Sequence, residues 1–406
     1  MNLILMYSNL IGGKNNRAAF FTLMKSLFKI ILLLLFSCKV DSGDDKSEIF
    51  RVLGYKFGDD FVLGIDDETN IFNYLSVPVN LGNESKLFFF SEISNTLNIY
   101  DVANGTLDKK LKYPIQGPNS IFGIGFNSGF VIANYDSIIY YSRLMERVYI
   151  SNSEGDIYKS LNLSNDSNSF GSIDLTSPMA YRDKSIYLQS LPKISAYSSS
   201  DSIKVLNEIS KINLETGLVT KLQIQSPAIY FSGNFSYQLK MLDFVYNPKI
   251  DKFIFSYPLS DSLYVVDFEG YSKAYLAKSN LVSDFIETDF QNKIVSKSKL
   301  TNYYFWINDS YGKLIYDPIN DIYLREARKG ITEENFLARK LKTKKEVLIL
   351  NNKFKKIGTI PHNGGDFIYY FFKKNRIYWN KDLVEFNLEA SQEDSIFFDS
   401  IEIEFN

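Results

Sequence analysis

The sequence predicts an all-β protein, and within that class a β-propeller of six blades that follows an N-terminal lipoprotein signal segment. Three observations support this prediction: a high content of tyrosine and phenylalanine, short apolar segments bounded by turn residues, and a hairpin unit that occurs twice at a spacing of 70 residues. A propeller accounts for all three, because it arranges many short strands into repeated four-stranded units.

Composition favours strands over helices. The 406 residues include 28 Tyr, 33 Phe and 2 Trp, and Tyr and Phe suit the pleated, half-buried surface of a sheet. Short apolar segments between turn residues are the pattern of many strands. The predicted strands include Leu87–Phe90, Phe130–Ala133, Ser185–Leu188, Phe253–Tyr257, Leu263–Phe268, Tyr303–Ile307, Glu346–Leu350 and Phe367–Phe372. The best candidate for a short helix is Ile331–Lys342, with Thr332 as its N-cap and two glutamates in its first turn.

Two kinds of turn recur along the chain. Tyr246–Phe255 reads YNPKIDKFIF and Tyr316–Arg325 reads YDPINDIYLR, so an aromatic residue, an Asn/Asp-Pro pair, a polar turn and an aromatic strand occur twice. Asp101–Gly105 and Asn213–Gly217 share the form Asp/Asn-x-x-x-Gly, and Val266–Gly270 is a variant that carries its Asp one position later. In such a turn the glycine supplies the positive φ that closes a hairpin. This turn commonly joins the outer two strands of a propeller blade.

The length of the chain limits the number of blades. From Ser47 to Asn406 there are 360 residues, so six blades would average about 60 residues and seven about 51. Six is the preferred number, and seven stays open. Two stacked β-sandwiches are the competing all-β architecture, and the 70-residue recurrence argues against them. The propeller is predicted to span residues 49–406.

The N-terminal segment has the layout of a bacterial lipoprotein signal. Met24–Cys38 reads MKSLFKIILLLLFSC, with a basic start, the apolar core Ile30–Phe36 and a small residue before the only cysteine. This layout predicts that residues 1–37 are a signal segment, that Cys38 becomes a lipidated N-terminus, and that translation starts at Met24. A long basic region before the apolar core is the alternative for residues 1–23, and a buried N-terminal helix with a core cysteine is the alternative to the signal.

Residues 38–48 are predicted to form an acidic linker that joins the lipid to the propeller. Lys39 rather than aspartate follows the cysteine, which favours delivery to the outer membrane over retention in the inner membrane. The three aspartates at 41, 44 and 45 are typical of the tethers of surface-exposed lipoproteins, although an ordinary solvated linker would look similar. The predicted location is the outer membrane of the cell envelope, on its periplasmic or its surface face.

Together these features resemble an uncharacterised family of Bacteroidetes lipoproteins. The resemblance rests on the signal and tether, on YNPKIDKFIFSYPLSDSLYVVD, on AYLAKSN at Ala274–Asn280, and on IYDPINDIYLR and VLILNNKFKKIG. It covers the chain from about Phe88 to Asn406. Membership implies a six-bladed, TolB-like propeller domain of unknown function. It implies no active site that could be transferred to this chain.

Composition also excludes several classes of function. A net charge of −2 gives no electrostatic basis for binding nucleic acid. With Cys38 lipidated, no thiol is left for a disulfide, a thiolate metal site or a nucleophile. The only histidine, His362, lies in the turn-like sequence PHNGGD and is interpreted as a surface residue. We therefore predict no catalytic residue, metal site or cofactor.

Other charged segments are interpreted as solvated. Asp66–Glu68 could bind a cation, but we interpret it as a solvated hairpin loop. Arg339–Lys345 could contact anionic lipid or polysaccharide, but we interpret it as a solvated face. Trp379 and Tyr378 are the candidate ligand-binding residues, because exposed aromatic rings stack on sugars, and Trp306 is a weaker one. The competing interpretation is that these aromatic residues pack between blades.

Three functions remain open on the sequence. The preferred one is a lipid-anchored binding or scaffold module for a glycan, a peptide or an envelope protein. The second is a polysaccharide hydrolase or lyase with its site at the propeller channel, and the third is an accessory subunit of an outer-membrane uptake or secretion complex. A carboxylate pair in the channel would favour the enzyme, whereas an exposed apolar patch would favour a protein partner.

Overall fold

A computed structural model describes the propeller and its connections. The described residues are 52–66, 68–69, 75–81, 84–117, 119–122, 124, 128–163, 169–172, 179–192, 208–224, 226–232, 235–283, 285–289, 295–296, 299–362, 369–381 and 395–405. The predicted signal segment 1–37, the linker 38–48 and the lipidation site Cys38 lie outside these residues.

The described chain is built from 26 strands, three short α-helices and one 3-10 helix. The strands are β1 (Val52–Phe57), β2 (Phe61–Gly64), β3 (Ser76–Leu81), β4 (Glu84–Ser91), β5 (Thr96–Asp101), β6 (Thr106–Lys112), β7 (Gly129–Asn134), β8 (Ser137–Ser142), β9 (Arg147–Ser151), β10 (Ile157–Asn162), β11 (Ser169–Ser172), β12 (Ala180–Arg182), β13 (Ser185–Pro192), β14 (Glu208–Asn213), β15 (Val219–Gln223), β16 (Asp243–Asn247), β17 (Lys252–Ser256), β18 (Ser262–Val266), β19 (Ser272–Leu276), β20 (Ser310–Asp317), β21 (Ile322–Arg328), β22 (Lys345–Leu350), β23 (Lys356–His362), β24 (Tyr370–Lys373), β25 (Arg376–Asn380) and β26 (Ser395–Phe405). The helices are α1 (Ile229–Ser232), α2 (Leu300–Ile307) and α3 (Glu333–Leu337), and the 3-10 helix is Tyr237–Lys240.

These strands form six antiparallel sheets, which are the six blades of a β-propeller. Blade 1 is β3–β6, blade 2 is β7–β10, blade 4 is β16–β19 and blade 5 is β20–β23, each in chain order. Blade 3 has its inner strand in two pieces, β11 and β12, which both pair with β13 before β14 and β15 follow. The prediction of six blades is confirmed, and the stacked-sandwich alternative is wrong because the sheets follow one another as repeated four-stranded units.

Blade 6 closes the ring with strands from both ends of the described chain. Its inner strands are β24, β25 and β26, and its outer strand is supplied by β1 and β2, which pair with opposite ends of β26. Val52 pairs with Phe405, and Gly64 pairs with Ser395. All six blades lie within one compact unit, Phe50–Asn406.

The connections between strands divide the propeller into two faces. On one face, which we name the short-turn face, turns of two to five residues join the inner two and the outer two strands of blades 1–5 and the inner two strands of blade 6. The outer strands of blade 6, β26 and β1, meet on this face as the two ends of the described chain. On the other, which we name the long-loop face, lie the connections between the middle two strands and those that lead from each blade to the next. The connection between the middle strands has four residues in blades 1 and 2 and sixteen in blade 5. The recurring Asp/Asn-x-x-x-Gly turns at Asp101–Gly105 and Asn213–Gly217 join the outer two strands of blades 1 and 3, as predicted.

Each seam between neighbouring blades has its own apolar cluster. Alternate residues of a strand point to opposite sides of a sheet, so strands inside a blade bury side chains against both neighbouring blades. β21 is buried along its whole length. Aromatic rings fill much of these seams, for example Phe371 stacked on Tyr378 with centroids 4.6 Å apart. The high aromatic content of the sequence is therefore explained by packing between blades.

The hairpin repeat seen in the sequence joins the inner two strands of blades 4 and 5 and holds neighbouring blades together. The Tyr246 hydroxyl donates to Asp251 Oδ1 over 2.7 Å, and Tyr316 donates to Asp321 Oδ1 over the same distance. Each aspartate also forms an ion pair with a basic side chain of the preceding blade. Arg182 Nε lies 2.6 Å from Asp251 Oδ1. Lys249 Nζ lies 3.6 Å from Asp321 Oδ1.

Replacing Asp251 by asparagine should therefore weaken the protein at neutral pH but not in acid. The hydrogen bonds from Arg182 and then Tyr246 hold the pKa of Asp251 below its ordinary value, so its carboxylate stabilises the fold above the unfolded pKa of about 3.9. This contribution is lost as the pH falls through the lower folded pKa. Because the pair is partly exposed, we expect a loss of about 0.5–1 kcal/mol at pH 7. Urea unfolding at several pH values checks this, and a difference from wild type that does not shrink in acid would contradict it.

Two segments differ from the elements predicted for them. The prediction of a strand at Tyr303–Ile307 is wrong, because these residues lie in helix α2, where Tyr303 and Tyr304 are buried. Aromatic residues suit strands in general, and here packing of one helix face overrides that preference. The predicted helix near Ile331–Lys342 exists as the shorter α3, and the Thr332 hydroxyl accepts a hydrogen bond from the Asn335 amide as an N-cap should.

Candidate functional site

The two aromatic residues proposed to bind ligand are core residues. Tyr378 is 7% exposed and Trp379 is 4% exposed. They are consecutive in β25, so Tyr378 packs in the seam with blade 1 while Trp379 packs in the seam with blade 5. Neither presents an open ring face. The interpretation of Trp379 and Tyr378 as a sugar-stacking platform is therefore corrected: an inner blade strand turns both residues toward neighbouring blades.

His362 is also buried, contrary to its interpretation as a surface residue. It is 1% exposed at the end of β23, and its ring lies edge-on to Trp379 with centroids 5.3 Å apart. Both rings line a small cavity of about 10 Å³, at the lower limit for one water molecule. β23 includes Pro361 and His362, the first two residues of this turn-like sequence, and this places the histidine in the seam.

Trp306 lies in a helical part of the long-loop face, over blade 5. The Arg328 guanidinium lies 4.2 Å from the ring centroid of Phe305 and 5.4 Å from that of Trp306, and it donates a hydrogen bond to the Phe305 carbonyl over 2.7 Å. Tyr303 donates to Glu333 Oε2 of α3 over 2.7 Å. The Arg328 contacts fix α2 to strand β21, and the Tyr303 hydrogen bond joins α2 to α3. Trp306 therefore packs against a charged side chain of blade 5 rather than offering a free platform.

The long-loop face of blades 1 and 2 exposes large apolar side chains, and two of them, Ile93 and Leu144, are more than 70% exposed. They lie on three connections: the β4–β5 loop, the chain between β6 and β7, and the β8–β9 loop. We name this set the apolar loop patch. Its members, with their exposed fractions, are Ile93 (74%), Ile115 (59%), Phe122 (45%), Leu144 (72%) and Met145 (42%).

Asn95 holds two of these connections together. Its side-chain amide is buried and donates to the carbonyls of Tyr113, Ile121 and Pro114 over 2.9, 3.0 and 3.4 Å. The Tyr113 amide donates back to the Asn95 carbonyl over 3.0 Å. Asn95 has a φ of 53°, a conformation that asparagine tolerates better than most residues. Ile93 and Ile115 are thus carried by loops with fixed backbones.

Replacing Asn95 by alanine is expected to lower the free energy of unfolding by about 2–3 kcal/mol, because buried carbonyls lose their donor and alanine is strained at this φ. Hydrogen exchange should also accelerate in residues 113–122. The control is Asn119→Ala, an exposed residue of the same connection, which should change stability by less than about 0.5 kcal/mol. Equal effects of the two substitutions would show that Asn95 does not fix these loops.

The third connection is fixed to the second one. The Arg143 amide donates to the buried Ser128 hydroxyl over 3.1 Å, and the Met145 amide donates to Ser142 Oγ over 3.3 Å. Leu144 and Met145 therefore project from a loop with a defined backbone. An apolar pair inside the polar turn sequence SRLMER was the signal for this patch in the sequence.

The charged segments singled out in the sequence have structural roles where they are described. Asp66 and Glu68 each receive a hydrogen bond from Lys110 Nζ, at 2.7 and 2.6 Å. In the basic run, Lys345 lies 3.6 Å from the buried carboxylate of Glu326. Among the described residues, no three His, Cys, Asp or Glu side chains are grouped closely enough to hold a metal ion. No helix in the described part of the chain is long and apolar enough to cross a membrane.

One family model matches the sequence. It is described as a domain of unknown function, DUF4221, and it matches residues 47–361. No curated protein matches the chain.

Solved structures share the fold at low sequence identity. A member of the DUF4221 family from Bacteroides vulgatus is 17% identical, with a TM-score of 0.69, and the match covers 87% of this chain and 99% of that one. An exported protein from Bacteroides fragilis, so named provisionally, is 11% identical, with a TM-score of 0.49 over 86% of this chain and 95% of that one. At these identities the first likeness shows the propeller fold alone.

Proposed function

This chain belongs to the DUF4221 family, and on that premise we propose that it is a lipid-anchored propeller of the cell envelope that binds a partner protein through the apolar loop patch. Family membership carries no activity, so the proposal rests on this chain's own residues. The observation that carries it is the exposure of five large apolar side chains on three linked connections of one face. Such clusters are typical of interaction surfaces.

The chemistry of the patch favours protein over glycan. Sugar rings are bound by flat aromatic faces combined with polar groups, and four of the five patch residues are aliphatic or methionine. Aliphatic side chains and a methionine instead suit an apolar surface of a protein or peptide, to which methionine adapts readily. The buried positions of Tyr378 and Trp379 remove the aromatic platform that the glycan hypothesis had used.

The lipid anchor in this proposal is supported by the sequence of Met24–Cys38 and by the position of the only cysteine. We propose an outer-membrane lipoprotein, on its periplasmic or surface face. Cys38→Ser should abolish labelling with radioactive palmitate and release the protein from the membrane fraction. Unchanged labelling of the variant would contradict the anchor.

The patch is tested by a pair of matched variants. Ile93→Ser combined with Leu144→Ser should reduce the amount of protein partner that co-purifies after chemical crosslinking of whole cells by at least about tenfold, since central apolar residues contribute most of an interface's binding energy. The control is Tyr158→Ser, which removes an aromatic residue that is 57% exposed on β10. Equal recovery of partner with both variants would contradict the proposal.

The two alternative functions, an accessory subunit and a polysaccharide-degrading enzyme, predict different results when the same protein is crosslinked or assayed. If the partner is an outer-membrane transporter or secretion component, the protein is an accessory subunit of that complex. A polysaccharide hydrolase or lyase would instead turn over glycans without a partner. Robust turnover of a broad glycan panel by the purified protein would therefore replace the binding proposal.

A further inference from the structure

The described chain enters the propeller on the short-turn face. Val52 pairs with Phe405, at the end of β26 that lies on this face. Cys38 precedes Val52 by 14 residues, and a chain of that length spans at most about 50 Å even when fully extended. A compact unit of this size is itself about 50 Å across. An anchor at Cys38 is therefore joined to the propeller on the short-turn face, which can approach the bilayer directly.

Charge on the short-turn face is unevenly distributed. We name the turns of blades 4–6 the basic turn set: residues 247–252, 266–272, 317–322, 350–356 and 373–376. It contains eight basic and five acidic side chains. The described turns of blades 1–3, at 101–106, 134–137, 151–157, 182–185 and 213–219, contain two basic and six acidic side chains. The half of the face that includes the chain's point of entry is thus the more basic half.

The basic turn set also exposes three large side chains, Tyr271, Ile319 and Ile250, which we name the apolar tips. Tyr271 is 76% exposed at the outer turn of blade 4. Ile319 is 44% exposed and Ile250 is 39% exposed, both at inner turns. Lys355 and Lys374 lie exposed on neighbouring turns. Tyrosine and lysine beside aliphatic residues are the side chains that suit the boundary between lipid headgroups and acyl chains.

We infer that the basic turn set rests on an anionic lipid surface, so that the apolar loop patch points away from the membrane toward its partner. This inference rests on the lipid anchor of the proposed function. Three features of the chain support a bilayer rather than a second protein: the point of entry, the positive charge of the adjacent turns, and the apolar tips among them. Anionic headgroups attract basic residues at close range, and the apolar tips enter the headgroup region.

The test uses the full chain, expressed in a bacterium that processes lipoprotein signals and reconstituted with its lipid into vesicles. One set of vesicles contains phosphatidylglycerol and phosphatidylethanolamine, and the other contains phosphatidylcholine alone. Hydrogen exchange in residues 247–252 and 266–272 should slow by at least about fivefold on the anionic vesicles relative to detergent. Exchange in residues 91–96 and 142–147, on the long-loop face, should not change.

A triple variant, Ile250→Ser, Tyr271→Ser and Ile319→Ser, should lose the protection on anionic vesicles while it stays attached through its lipid. Ile93→Ser with Leu144→Ser is the matched control and should keep it. Thermal unfolding of both variants verifies that the substitutions leave the fold intact.

The outcomes separate this inference from the proposed function. Failure to reconstitute because Cys38 carries no lipid would overturn the anchor and the inference together. An anchored protein whose turns are equally exchangeable in vesicles and detergent would overturn the inference alone. Protection of the same turns in detergent at high protein concentration would identify a second copy as the occupant, and would also overturn it.

Discussion

Replacing Arg325 by methionine is expected to lower the free energy of unfolding by about 4 kcal/mol, although both side chains are long enough to fill the site. Arg325 is fully buried in the seam between blades 4 and 5. Its guanidinium donates to Ser256 Oγ over 2.9 Å. It also donates to the carbonyls of Ala277, Tyr257 and Ser260, over 3.2, 3.2 and 2.6 Å.

The reason for the large effect is that blade 4 depends on this single cation for several buried acceptors. The Arg325 carbon Cζ lies 3.6 Å from the ring centroid of Tyr311, which adds a cation–π contact. Burial lowers the pKa of Arg325 to about 10, so the group is still charged at neutral pH. Methionine supplies volume but no donor, and it would leave the carbonyls without their hydrogen bonds.

Arg376→Met is the control for Arg325→Met. Arg376 Nη2 lies 2.7 Å from Glu402 Oε2, and its side chain is 35% exposed. A partly exposed ion pair contributes less than about 1 kcal/mol. Urea unfolding of the two variants measures the difference. A similar decrease in the free energy of unfolding for both variants would show that the Arg325 hydrogen bonds do not stabilise the seam between blades 4 and 5.

The second large effect is expected at the closure of the ring. Leu63→Ala should lower the free energy of unfolding by about 3 kcal/mol, because Leu63 is 0% exposed in the seam between blades 6 and 1. It lies on β2, one of the two strands that complete blade 6 around β26. A cavity here weakens the contact between the two ends of the described chain. Thermal and urea unfolding check the value.

Val62 provides a control one residue away. It lies on the same strand with its side chain on the other face, and it is 44% exposed. Val62→Ala should change the free energy of unfolding by less than about 0.5 kcal/mol. If both substitutions have equal effects, β2 does not contribute its buried face to the closure in the way the structure indicates.

Local sequence signals predicted the repeated parts of the fold well. The Asn/Asp-Pro hairpins are 70 residues apart because they occupy the same place in consecutive blades, and their Tyr–Asp pairs explain why the motif is kept at both places. The same position that holds Phe255 in blade 4 holds Arg325 in blade 5. Turn chemistry is local, and it can therefore be read from a few adjacent residues.

Features that depend on distant contacts could not be predicted. The pairing of β1 with β26 joins residues more than 340 positions apart, and no local pattern specifies it. The burial of Tyr378, Trp379 and His362 is decided by the neighbouring blades, since an aromatic strand looks the same whether its faces are covered or open. The apolar loop patch was missed for the converse reason, because exposure of Leu144 and Ile93 is visible only after the other apolar residues are packed.

The most direct test of a partner at the apolar loop patch is crosslinking from single positions in living cells. A photoreactive amino acid at Leu144 should give a discrete covalent product with one envelope protein on illumination. The same amino acid at Tyr158, which is exposed on β10 of the same blade, should give none. We expect a product at Leu144 alone. The absence of a product there, or the same product from both positions, would contradict a partner at the apolar loop patch.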